Sequence, residues 1–121
     1  MSLKVTTSEK RPGVITISPI GAIDGKTHTI LEEKMNAVLA KNPDVIIFDM
    51  DFLDYINSLG VRVLLKVKKA MQNEGGKVVY MNLQPQIKKV FDILSALPSL
   101  QVFASIQELD DYLDTMQKKA R

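Results

Sequence analysis

The sequence predicts a single α/β domain spanning residues 1–121, built on one mixed β-sheet of about four to five strands with about four helices. Three observations carry that expectation. Short runs rich in β-branched residues alternate with stretches whose apolar residues recur at helical spacing, which favours parallel strands joined by right-handed crossovers. The first two strand-like runs are separated by a Pro-Gly pair, which reads as a hairpin and so adds an antiparallel pair. Val45-Ile46-Ile47-Phe48 is a continuous apolar run of strand length, as in a strand at the centre of a sheet and covered on both faces by helices. The resulting order is β-β-α-β-α-β-α-β-α.

Taken in order, Leu3 to Thr7 and Val14 to Ser18 form the hairpin, with the polar stretch Glu9-Lys10-Arg11-Pro12-Gly13 between them. The two glycines of Ile20-Gly21-Ala22-Ile23-Asp24-Gly25 are expected to break regular structure before a first helix, whose buried face is Ile30, Leu31, Met35, Val38 and Leu39. Thr29 with Glu32 reads as a capping box, while Asp24 or Thr27 suits an earlier start. Asn42-Pro43-Asp44 stops this helix ahead of the central strand.

A second helix runs from Leu59 to about Asn73, with Val61, Val63, Leu64, Leu65, Val67, Ala70 and Met71 on its apolar face. Arg62, Lys66, Lys69 and Asn73 form its polar stripe. Gly75-Gly76 ends it, and Lys77 to Met81 reads as the next strand. Pro85 opens a third helix with Ile87, Val90, Phe91 and Leu94 on one face. After Pro98 comes a short strand, Leu100 to Phe103, and then Ser105 with Glu108 as the capping box of a last helix carrying Leu109, Tyr112, Leu113 and Met116.

Composition narrows the function classes. With 45% hydrophobic and 25% charged residues the chain is an ordinary globular one, and a formal charge of +2 gives no case for direct nucleic-acid binding. No run approaches the roughly 20 apolar residues of a membrane helix, so no membrane insertion is expected, and the absence of cysteine fits a cytoplasmic location. One histidine, His28, and no cysteine leave little from which to build a metal site, and His28 reads as a surface residue. Asp49, Asp51 and Asp54 form an acidic cluster, but no complete catalytic or phosphate-binding motif accompanies them, so neither an enzyme nor a cofactor is expected.

The segment between the central strand and the second helix is the most informative. Phe48-Asp49 leads through a short loop to Asn57-Ser58-Leu59-Gly60, which resembles the STAS domain signature, an acidic strand end followed by Asp-Ser-Ser/Thr-Gly at a helix start. Gly21-Ala22-Ile23-Asp24 is similar to the family's Gly-x-Leu/Ile-Asp before the first helix, and Pro85-Gln86-Ile87-Lys88-Lys89-Val90-Phe91 to its Pro-x-(Val/Ile)-x-(Arg/Lys)-(Val/Leu)-(Phe/Leu). Together these cover essentially the whole chain. The resemblance is to the anti-sigma factor antagonist type, and it implies a protein-binding regulator whose partner is an anti-sigma factor kinase. In that type, the hydroxyl residue directly before the glycine is phosphorylated, and a helix N-terminus can hold the added charge.

Here that position is Leu59, which has no hydroxyl, and Asn57 replaces the signature aspartate. Ser58 is then either a displaced phosphoacceptor or the cap of the helix, and Asn57 is another possible cap. Asp24, Asn57, Ser58, Leu59, Gly60, Arg62 and Lys66 are the candidate partner-binding residues, with Asn57 to Gly60 expected to face outward. Asp24 is equally readable as a helix cap, and the Arg62, Lys66 and Lys69 stripe as a solvated face. The chain is expected to be a monomer or weak homodimer. The alternative is a STAS subunit of another assembly: a lipid-transport ATPase, a stress-signalling complex or a nucleotide-responsive regulator.

Overall fold

A computed structural model describes residues 2–96 and 105–120. The elements are β1 (Leu3–Arg11), β2 (Val14–Ile23), α1 (His28–Leu39), β3 (Val45–Asp49), β4 (Leu53–Ile56), α2 (Ser58–Asn73), β5 (Lys77–Met81), α3 (Pro85–Ala96) and α4 (Ile106–Ala120). The strand expected at 100–103 and the side chain of Leu94 lie outside the described residues.

The hairpin turns at Pro12-Gly13, with Arg11 opposite Val14 and Gly13 at a φ of +80°. β2 then forms parallel ladders with β3 through Val14–Ile17 and with β4 through Gly21–Ile23, and β3 pairs with β5, giving a five-stranded mixed sheet. Two features correct the sequence reading. The glycine-containing stretch after Pro19 does not end β2, because Gly21 adopts a φ of +115° and forms a bulge that lets the strand run on to Ile23. A side chain there would strike the Ser2 carbonyl, which instead accepts from Ala22 N–H at 3.0 Å. The loop expected between the central strand and α2 contains β4, too short and too interrupted by Asp54 to signal itself by alternation.

Side-chain alternation divides the sheet cleanly. Ile15, Ile17, Ile46 and Phe48 point to one face and are buried, continuing into Tyr80 of β5, which stacks on Phe48 at 5.3 Å between ring centroids. Leu31, Met35 and Val38 of α1, Val61, Val63, Leu64, Val67 and Met71 of α2, Ile87 and Val90 of α3, and Leu109, Leu113 and Met116 of α4 join the same core. Each such side chain contributes about 2 kcal/mol by leaving water. On the opposite face Val14, Thr16, Val45 and Ile47 are half-buried and Val79 and Met81 exposed, so β3 is covered on one face only. Ile30, Leu65 and Tyr112, expected on apolar helix faces, are exposed.

The free edge of β4 has no backbone partner among the described residues. Three glutamines take its place. Gln84 Nε2 donates to Asp51 O (2.9 Å), just ahead of the strand, and Gln86 Nε2 to Asp54 O (3.1 Å). Gln117 of α4 reproduces a strand's pairing with Ile56, accepting from its N–H at 3.0 Å and donating to its carbonyl at 2.7 Å. An amide side chain carries the same donor and acceptor as a peptide group, so it can close a strand edge without another strand.

Candidate functional site

β2 and β4 end side by side, Ile23 opposite Ile56, and each leads into a helix. Asp24 follows one strand and Asn57 the other, and Asn57 N–H donates to Ile23 O at 3.0 Å, tying the two junctions together. Such paired carboxyl ends of strands are where open α/β sheets present their binding residues.

At the first junction Asp24 holds a local turn. Its Oδ1 accepts from Lys26 N–H at 2.9 Å and Thr27 N–H at 3.0 Å. Burial pushes the Asp24 carboxyl up, but these bonds and the Thr27 hydroxyl outweigh it and hold it below the usual carboxylate value. Thr27 Oγ1 donates to Ala22 O at 2.7 Å and accepts from Asp24 N–H at 2.8 Å. The helix begins at His28 with Thr27 as its N-cap residue, so Thr29 lies inside it and forms no capping box. His28 Nδ1 lies 3.2 Å from Gly25 O and 3.3 Å from Asp24 O.

At the second junction Asn57 is the N-cap. Its Oδ1 accepts from Gly60 N–H at 3.0 Å in extended backbone geometry. Ser58 is therefore not the cap. It is completely buried, its N–H donates to Asp110 Oδ1 of α4 at 2.8 Å, and its hydroxyl is the one buried polar side-chain atom without a partner among the described residues. Gly60 allows α2 to lie against the strands: a Cβ there would come within 2.6 Å of Ile23 Cγ2 and 2.7 Å of Ile56 Cγ1. The outward-facing patch expected from Asn57 to Gly60 is thus mostly sealed, and only Leu59 of the four reaches the surface, half-buried.

Arg62, Lys66 and Lys69 are exposed farther along α2, Lys66 lying 3.8 Å from Glu32 across an open ion pair. α2 carries Arg62, Lys66, Lys68 and Lys69 and no acidic residue. The acidic cluster does not converge. Asp49 accepts from Asn82 Nδ2 at 3.0 Å and from Asp51 N–H at 3.2 Å, and among the described residues no group of His, Cys, Asp or Glu could hold a metal ion.

Sequence reasoning missed the contribution of α4. Asp110, Asp114 and Gln117 occur at helical spacing and meet the second junction. Burial of Tyr55 of β4, then the charges of Asp114 and Asp110 on α4 and of Asp24, raise its pKa above the ordinary tyrosine value. The only trace in the sequence is Gln117, a polar residue one turn after Leu113 on an otherwise apolar face.

Fold and site together define a two-layer α/β domain in which two neighbouring strand ends each lead into a helix start. The STAS domain model matches residues 6–109, and the chain belongs to the STAS domain family. It is 31% identical over 87 residues to BtrV of Bordetella bronchiseptica, named as a candidate anti-sigma factor antagonist, covering 72% of this chain and 75% of that one. It is 33% identical over 63 residues to the anti-sigma-F factor antagonist RsfB of Mycobacterium tuberculosis, over 52% of this chain and 51% of RsfB. The fold is shared with an anti-sigma factor antagonist from Mycobacterium paratuberculosis, with a TM-score of 0.66, 21% identity and coverage of 99% and 95%. Unphosphorylated SpoIIAA, an anti-sigma factor antagonist, gives a TM-score of 0.68 at 19% identity, covering 76% of this chain and 81% of that one. No described helix is long and apolar enough to cross a membrane.

Proposed function

We propose that this protein is an anti-sigma factor antagonist: a non-enzymatic module that binds an anti-sigma factor kinase in the cytoplasm and so frees the sigma factor. The observation that carries the reading is the joined pair of helix starts: Asn57 N–H donates to Ile23 O, next to Asp24, and Leu59, in the signature position before Gly60, is the one residue of Asn57 to Gly60 that reaches the surface, ahead of the exposed Arg62 and Lys66. The named antagonists among its relatives support the choice of partner.

Leu59 also sets the mode of control. An apolar side chain offers no oxygen to a kinase, and Ser58, one position earlier, is completely buried. Binding is therefore constitutive, or is controlled by means other than phosphorylation at the usual position. The test is a complex formed between the whole chain and the anti-sigma factor kinase of its own organism, with and without ATP. The complex should form equally well in both, with no stoichiometric phosphate by mass spectrometry. Leu59→Ser should acquire phosphate and ATP-dependent release, and failure of the parent chain to bind would sink the assignment.

A further inference from the structure

α4 reaches across the molecule to close the region where a partner would meet α2. Asp110 accepts the first backbone N–H of α2, that of Ser58, at 2.8 Å, and Gln117, 1% exposed, holds both polar groups of Ile56. Both attachments are polar and join residues more than 50 positions apart in sequence. From this geometry we infer that α4 is a detachable guard: docked, it denies a partner the first turn of α2 and the edge of β4; undocked, it exposes Ser58 and Ile56. The inference rests on the reading of α2's start as the partner site.

One feature makes the docked state a strained closure rather than ordinary core. The Ser58 hydroxyl, beside the N–H that Asp110 holds, is completely buried with no partner among the described residues, a defect that water would repair if α4 lifted. Against it stand Leu109, Leu113 and Met116, whose burial supplies the apolar adhesion of α4. A helix held by one apolar strip and opposed by such a defect is a natural unit of sub-global opening.

The absence of cysteine makes the test direct. Ser58→Cys places a single thiol under the guard, and Leu59→Cys places one beside it. The Ser58→Cys thiol should react with a soluble disulfide reagent at least a hundredfold more slowly than the Leu59→Cys thiol. Adding Gln117→Leu or Asp110→Ala should speed the Ser58→Cys reaction at least tenfold more than it speeds amide exchange in β3. Equal reaction of the two thiols overturns the inference, as does acceleration that only tracks faster exchange in β3, which would make α4 part of the global core. The same α4 substitutions in the cysteine-free chain should tighten binding to the anti-sigma factor at least threefold. Unchanged affinity with a freed thiol overturns the guard and leaves the proposed function standing. Absence of binding by every variant removes the proposed function, and the thiol kinetics still decide whether α4 detaches.

Discussion

The two helix starts at the end of the sheet solve the same problem in opposite ways. Every helix begins with unpaired N–H groups that need acceptors. At α1 the help is local: the backbone carbonyls of Asp24 and Thr27 accept from His28 and Ile30 N–H at 3.0 and 2.9 Å, and the turn remains partly open to water. At α2 only Asn57 is local; Asp110 comes from 52 residues away, and the first turn is sealed. A locally capped helix start is finished as soon as its own residues fold, whereas α2's first turn is completed only when the last helix arrives.

The largest test of that contrast removes the remote half. Gln117→Leu leaves the Ile56 N–H and carbonyl buried without partners and should cost about 3 kcal/mol in denaturant unfolding. No single substitution around Asp24 should approach it. Gly60→Ala comes next, at about 2 kcal/mol, because its methyl meets Ile23 and Ile56 side chains held from both strands. A cost near zero would show that α2 sits more loosely than the packing implies.

A sharper contrast lies between neighbours. Asn57→Ala should lose about 1 kcal/mol with the cap. Ser58→Ala should instead stabilise the chain by about 1 kcal/mol, since it deletes a hydroxyl that has no partner among the described residues. A loss at Ser58 comparable to that at Asn57 would return the capping role to the serine. The smallest effect belongs to Asp24→Asn. The folded carboxyl titrates below its ordinary value of 3.8, so its contribution is complete at neutral pH and fades as pH falls through the folded value. Parent and variant should therefore differ slightly at pH 7 and converge in thermal melts below about pH 3.8.

What was legible in the sequence follows the same division. Pro12-Gly13, Ser105 capping Glu108 N–H at 3.1 Å, and the buried positions of α1 and α2 are set by residues within a few places of one another, and periodicity and turn chemistry reveal them. β4 was hidden because its edge is completed by glutamines from two other elements, not by a strand with its own pattern. The one-sided cover of β3 was hidden for a related reason: Val45 and Ile47 are shielded by neighbours across the sheet, so an apolar run did not require helices on both faces. Family motifs located the site at Asp24 and at Asn57 to Gly60. They could not show that α4 lies over it, because that contact depends on tertiary distance alone.

The glutamine row along β4 has a consequence for the conditions under which the fold can work. Carboxamides do not ionise, so this seam gains and loses no protons and carries no charge for salt to screen. A change in ionic strength will act on the charges around Tyr55 while the amide seam stays as it is. The chain thus has one attachment responsive to its medium and another indifferent to it, both on the same helix.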